Sequence, residues 1–137
     1  MITAIDTNVI STLWSKEPAT AEVILRLQQA ARVGPLIISA PVFAELLAHP
    51  GADHALVVEF LTGSGIRVDF DLDEEIWTLA GSSFATYAAR RRKSRAHQPR
   101  GLLIDFLIGS HAVLRADVLL TRDPDLYRRD FPTLQLA

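Results

Sequence analysis

The chain has 137 residues, of which 49% are hydrophobic and 22% charged, with no cysteine and a formal net charge of −2. That is one domain's worth of ordinary globular sequence, so residues 1–137 are expected to fold as a single unit with a real core. The missing cysteine excludes a disulfide framework, a thiolate zinc site and a cysteine nucleophile; no apolar run approaches the roughly 18 residues that span a bilayer, and Met1-Ile2-Thr3-Ala4-Ile5-Asp6 lacks the basic start and long apolar stretch of a signal peptide, so a cytoplasmic protein without membrane contact is expected.

Short apolar runs of β type alternate with helical ones. Residues 2–5 read as a first strand buried on both faces. Asp6-Thr7-Asn8 turns into a helix through about Trp14. Residues 19–33 carry Val23, Ile24, Leu27, Ala30 and Ala31 at helical spacing, and Gly34-Pro35 stops that helix. Residues 36–39 form a second strand. Pro41 suits the first turn of the next helix, where its missing N–H has no partner to lose. His49-Pro50-Gly51 ends that helix, and another covers residues 52–61. Residues 66–70 read as a third strand. A long helix from Asp73 to about Arg92 places Ile76, Ala80, Phe84, Tyr87 and Ala88 on one face, and a basic loop follows it. Residues 102–115 read as a helix and 117–121 as a fourth strand. A turn or short helix then covers 125–131, and 134–136 form a short edge strand. Strands separated by helices imply an α/β fold: a central parallel sheet of four to five strands with helices on both faces. In such sheets ligands bind outside the carboxyl ends of the strands.

Four acids interrupt apolar surroundings. Asp6 closes the first strand, Glu45 lies in Val42-Phe43-Ala44-Glu45-Leu46-Leu47, Asp105 in Leu102-Leu103-Ile104-Asp105-Phe106-Leu107-Ile108, and Asp123 follows Val118-Leu119-Leu120-Thr121-Arg122. Embedded carboxylates need partners. Converging ones resist ionisation unless a cation sits among them, and the economical cation is a hard, oxygen-seeking divalent ion such as Mg²⁺ or Mn²⁺. Each acid also has a plain structural alternative: a helix cap at Asp6, a solvated helix face at Glu45, a helix-start acid at Asp105 and a turn at Asp123-Pro124-Asp125. Gly109 and Ala112, at i+4 and i+7 from Asp105, either leave room for an ion or substrate or serve close helix packing. Whether Asp125 joins the group stays open.

Asp6-Thr7-Asn8-Val9, Pro41-Val42-Phe43-Ala44-Glu45-Leu46, Asp105-Phe106-Leu107-Ile108-Gly109-Ser110-His111-Ala112 and Leu120-Thr121-Arg122-Asp123 together resemble the four acidic motifs of PIN-domain ribonucleases, in order and over nearly the whole chain. Within that family the chain looks most like the VapC toxins of type II toxin–antitoxin pairs. The resemblance implies a three-layer PIN-like fold and Mg²⁺- or Mn²⁺-dependent endoribonuclease activity on structured RNA such as tRNA or rRNA. It casts Asp6, Glu45, Asp105 and Asp123 as catalytic, metal-holding acids, with Thr7, Asn8 and Thr121 as the polar residues beside them. It also implies a homodimer and a cognate antitoxin protein, for which the Trp14 helix and the helix after Ala19 are candidate groove walls. Two other readings remain: a Mg²⁺-dependent phosphatase or phosphotransferase, and a non-catalytic RNA- or partner-binding module. Asn8 stands where a haloacid-dehalogenase-type phosphatase has its second Asp, and no Lys follows Lys93.

Charge is unevenly distributed. Residues 90–100 hold Arg90, Arg91, Arg92, Lys93, Arg95 and Arg100 and no acid, which is 6 of the 14 Lys and Arg. This segment is expected to be an exposed, un-neutralised phosphate-binding arm for RNA. The acids Asp69, Asp71, Asp73, Glu74 and Glu75 precede a helix, where its dipole favours them, so their expected role is structural. His49, His54, His97 and His111 show no metal-ligand spacing, and Trp14, Trp77, Phe84 and Tyr87 read as core or interface.

Overall fold

The computed structural model describes residues 1–94 and 103–137. In chain order the elements are β1 (Thr3–Ile5), α1 (Thr7–Trp14), α2 (Thr20–Val33), β2 (Leu36–Ser39), α3 (Ala40–Leu47), α4 (His54–Gly63), β3 (Ile66–Asp69), α5 (Glu74–Lys93), α6 (Leu103–Arg115), β4 (Val118–Leu120), α7 (Pro124–Asp130) and β5 (Gln135–Leu136). The five strands form one sheet in the order β3-β2-β1-β4-β5, and every pair is parallel. The chain builds outward from β1 through β2 to β3, then crosses back to lay β4 on the other side of β1. The β1/β4 boundary is therefore the topological switch point, where sheets of this kind hold their ligands. Ile5 is in register with Leu120 and Ser39 with Asp69, so Asp6 and Thr121, each one residue further on, leave the sheet side by side.

β1, β2 and β4 are buried at every position, as expected of strands covered on both faces. Local chemistry fixes the helix starts. The Asp53 carboxylate accepts from the Leu56 amide at 2.8 Å and Asp73 from the Ile76 amide at 3.2 Å, each satisfying an N–H that the first turn leaves unpaired. Pro41 occupies the first turn of α3. Gly34 ends α2 under steric compulsion, since a Cβ there would meet the Met1 carbonyl oxygen at 1.9 Å. The core joins Ile5, Ile37, Ile38 and Leu119 of the sheet to Ile10, Leu46, Ile76 and Phe106 of the helices. Beside α6 an aromatic cluster links Phe84, Tyr87, Phe106 and Phe131, with Phe106 5.4 Å from both Phe84 and Tyr87 and 5.8 Å from Phe131.

Several expectations are corrected or refined. Arg90, Arg91 and Arg92 lie in the last turn of α5 as the sequence suggests, and the helix runs one residue further, through Lys93. Basic residues suit a helix C-terminus, whose dipole favours positive charge. The expectation that these cations lack a neutralising acid is overturned at Arg90, which pairs with Asp130, forty residues on. Arg95, His97, Arg100 and the rest of the expected basic loop lie outside the described residues. Of the apolar residues at helical spacing in α2, Val23 and Ala30 are buried, while Ile24 is 43% exposed. Gly109 serves packing: it faces the Phe131 ring, which leaves no room there for an ion. Asp69, finally, is no helix-start acid.

Asp69 Oδ2 instead accepts from Nε2 of His111 at 2.9 Å, and His111 is 1% exposed. Burial pushes the His111 pKa below 6.5, outweighing the pull of Asp69, so the imidazole is a neutral donor. Burial alone would raise Asp69, but the hydrogen bonds from His111 and the Asp71 amide, with the positive charges nearby, hold it low. The unfolded imidazole therefore takes its proton first. His111's contribution to stability is whole above pH 6.5 and is lost as pH falls from there. His111→Gln, which keeps a neutral donor, is expected to flatten the difference between melting temperatures at pH 7.5 and about 5.5 relative to wild type. Parallel melting curves for the two proteins between those values would contradict this.

Candidate active site

Asp6 sits at the N-cap of α1 with extended backbone, yet its side chain caps nothing. The carboxylate turns across the switch point. Its Oδ2 accepts from the Thr121 hydroxyl at 2.8 Å and from the Tyr127 hydroxyl at 3.0 Å. The cap explanation for Asp6 thereby falls away: two buried hydroxyls from the far end of the chain hold this carboxylate in place. Thr121 is itself positioned by register beside β1. Its Oγ1 accepts from the Asp123 amide at 3.0 Å, and Nδ2 of Asn8 donates to it at 3.5 Å. Asn8 Oδ1 accepts from the Arg122 amide at 3.1 Å. Asn8 thus stitches the α1 start to the β4–α7 turn.

The other acids arrive from three further elements. Glu45, half-buried in α3, accepts from the Thr7 hydroxyl at 2.6 Å, which ties it to the residue following Asp6. Asp105 lies in the first turn of α6, and Asp123 is the residue before α7 and makes no side-chain cap bond. Their convergence appears in the electrostatics. The Asp105 carboxyl is pushed up from 3.8 to about 6, first by burial and then by the charges of Asp6, Glu45 and Asp123. Burial also raises Asp6, against the hydrogen bonds of Thr121, Tyr127 and the Thr7 amide, and Glu45 adds to the rise. Four acids from separate elements thus share one field at the carboxyl edge of the sheet.

The donor set is all carboxylate oxygen, which matches a hard divalent cation, and mutual repulsion gives such an ion a reason to bind. Among the described residues no group of three or more Asp, Glu, His or Cys side chains is placed to hold a metal ion as it stands. Mg²⁺ keeps several of its waters and takes few protein ligands, so the fit rests on the chemistry of the donors, carboxylates that act on one another at Asp105, and not on a preformed cage.

Of the residues singled out from the sequence, the structure gathers Asp6, Thr7, Asn8, Glu45, Asp105, Thr121 and Asp123. Asp125 points away, its side chain 94% exposed near Arg128. Arg90 to Lys93 lie at the end of α5 instead. Tyr127 is the residue that sequence reasoning missed. It is 1% exposed, and burial together with the nearby carboxylates drives its hydroxyl far above the ordinary tyrosine range, so it acts only as a neutral donor. The available signal was an aromatic with a polar tip at i+4 from Asp123, in a helix that must face the core. The expected groove between α1 and α2 also shifts. Trp14 packs edge-on against His49 and Phe60, each at 5.3 Å. The apolar cavity beside it, about 770 Å³, is walled across from α1 by Leu56 and Phe60 of α4.

The PIN domain profile matches residues 3–132, and the chain belongs to the PIN domain family. Two solved complexes share its fold end to end. One chain of VapBC2 from Rickettsia felis, determined with a DNA fragment from their promoter, superposes with a TM-score of 0.72 at 23% identity, covering 100% of this chain and 98% of that one. One chain of VapBC-1 from nontypeable Haemophilus influenzae gives 0.68 at 24% identity, covering 100% and 97%. A search of curated proteins finds no match. The family and fold implied by the four acidic motifs are thus borne out. No helix among the described residues is long and apolar enough to cross a membrane.

Proposed function

We propose that this chain is a divalent-metal-dependent endoribonuclease, the cytoplasmic toxin of a toxin–antitoxin pair, acting on structured RNA such as tRNA or rRNA. The observation that carries the reading is the meeting of acids from separate elements at the carboxyl edge of the sheet: Thr7, next to Asp6, holds Glu45, and Asp105, raised first by burial, also feels Asp6, Glu45 and Asp123. Asp6, Glu45, Asp105 and Asp123 would hold Mg²⁺ or Mn²⁺. When bound, the ion supplies an acidified water and offsets charge on the phosphodiester. The chain's own contribution is orientation. Thr121 and Tyr127 fix the Asp6 carboxylate through one oxygen, Thr7 fixes Glu45, and Asn8 holds Thr121 and the Arg122 backbone in place. Arg90, Arg91, Arg92 and Lys93, with Arg95 and Arg100 beyond them, bring the RNA backbone to the acids. The VapBC complexes that share the fold support an antitoxin partner, for which the Trp14 cavity between α1 and α4 offers an apolar seat. A homodimer completes the proposal, and light scattering is expected to detect it.

The test is cleavage of tRNA and rRNA by purified protein with Mn²⁺, silenced by a chelator, alongside a phosphomonoester substrate. Release of phosphate without RNA cleavage would favour the phosphatase reading, and inertness toward both would favour a binding module. A finer test addresses orientation. Tyr127→Phe deletes one of the two hydroxyls on Asp6 Oδ2. Losing an outer partner of a metal ligand typically costs about 10- to 100-fold in metal affinity, whereas one lost neutral hydrogen bond costs only about 1 kcal/mol of stability. Calorimetric Mn²⁺ titration of the variant is expected to show the first with no more than the second. Unchanged Mn²⁺ affinity would leave Tyr127 a packing residue.

A further inference from the structure

α7 has two tasks on one face. Tyr127 reaches Asp6, and Asp130, one turn further along, turns its carboxylate inward until it is 2% exposed. Each Asp130 oxygen takes one guanidinium. Oδ1 accepts from Nη2 of Arg90 at the end of α5; Oδ2 accepts from Nε and Nη2 of Arg129 at 3.3 and 3.2 Å. Arg129 also lies over the Tyr87 ring, 5.8 Å from its centre, a placement that a cation favours. The two guanidiniums flank a surface pocket of about 490 Å³, lined in addition by Arg91, Lys93 and Ser94. Among the described residues, Asp130 is the carboxylate that meets both Arg90 and Arg129 there. Arginine carries five N–H donors, so a guanidinium that serves Asp130 has the means to serve a further acceptor as well.

We propose that this pocket binds a backbone phosphate of the RNA strand whose scissile bond lies at the carboxylates. Asp130 is then the organiser of the site, holding two forked donors side by side at low entropic cost. Such pre-organisation is what separates a phosphate clamp from a merely basic surface. α7 separates Asp123 at its N-cap from Asp130 at its end by seven residues, about 10 Å, so one strand can reach both the pocket and the acids. α7 sets that separation rigidly, because both its contacts are made by side chains on the same face. This deepens the nuclease reading and rests on it for the identity of the strand.

The experiment measures binding of a fluorescein-labelled single-stranded RNA oligonucleotide in chelator, so that cleavage plays no part, across a salt series. Asp130→Asn is the decisive variant. It removes a negative charge from a basic patch, so charge alone predicts tighter binding; an organising role predicts weaker binding, by about 5-fold, with Arg90→Gln/Arg129→Gln weaker still. Each lost phosphate contact on a single strand lowers the log–log salt slope by about 0.7, and the double variant is expected to lose between one and two such steps. Mn²⁺ affinity at the carboxylates should stay at the wild-type value in both, which guards against general misfolding. Excess inorganic phosphate should compete only weakly; full displacement by it would make the pocket a free-anion site and overturn the strand assignment. Equal or tighter RNA binding by Asp130→Asn, or an unchanged slope in the double variant, overturns the clamp. Failure of the nuclease reading looks different: wild-type protein would bind the strand with the expected slope yet leave every RNA intact in Mn²⁺.

Discussion

Asp105→Asn is expected to abolish RNA cleavage while making the metal-free protein more stable. The sign follows from the carboxyl's rise from 3.8 to about 6 on folding. A group that holds its proton more tightly when folded favours the folded state most at low pH. That advantage drains away as pH rises from 3.8 to 6, and above 6 the folded protein carries the full cost of an ionised Asp105 among three other acids. Asparagine fixes the neutral form at every pH. A shift of about two units corresponds to roughly 3 kcal/mol in a dry site. Asp105 is only half-buried, so solvent screening reduces this to roughly 1 kcal/mol, or about 3 °C in melting temperature for a chain of this size. The gain should appear at pH 7.5, vanish below about pH 4, and reverse in Mn²⁺, which stabilises only a protein that binds it. Asp6→Asn should lose cleavage equally, at least about 100-fold, with a smaller gain, because Thr121 and Tyr127 already donate to that carboxylate. A marked fall in apo stability for Asp105→Asn would make these acids structural, and undiminished cleavage would remove them from the chemistry.

Gly109→Val is expected to have the largest effect on stability. A Cβ built at Gly109 comes within 2.4 Å of Phe131 Cε2 and within 2.8 Å of two further ring carbons. Phe131 is 3% exposed and packed between Phe106 at 5.8 Å and Tyr127 at 6.3 Å. The ring can retreat only by pushing on its neighbours, one of which is Tyr127, whose hydroxyl holds Asp6. Overpacking of this kind costs about 1–3 kcal/mol, and the crowding here belongs at the upper end, a drop of roughly 10 °C. Mn²⁺ affinity should fall with it, because the strain passes through Phe131 and Tyr127 to the acids. A variant with wild-type melting temperature and metal affinity would mean that the ring shifts freely and the coupling is absent.

Element types and order were legible in the sequence because each strand is a short apolar run and each helix carries its own stop or start signal, such as Gly34-Pro35, Pro41 and Asp73. Asp6, Glu45, Asp105 and Asp123 were legible for the opposite reason: each breaks an apolar pattern. Other features depended on tertiary partners that no local pattern encodes. The inward face of α7, with Tyr127 and Asp130, depends on register between β1 and β4. The end of α5 was legible to within a residue, because the helix propensity of alanine and arginine carries it through Lys93; the partner of Arg90 was not, because Asp130 lies forty residues on. The small face at Gly109 had two physical explanations, and only the position of Phe131, twenty-two residues away, chose between them.

β4 lies against β1, pairing Thr3 with Val118. During synthesis the first strand can pair with β2 early, but its second neighbour does not exist until residues 118–120 have been made, and closing so long a loop is a slow, late event. Until then Asp6 has neither Thr121 nor Tyr127, and Asp123 has not been made. A chain halted before Thr121 and Asp123 therefore cannot assemble the group of four acids that the finished fold brings together at the switch point.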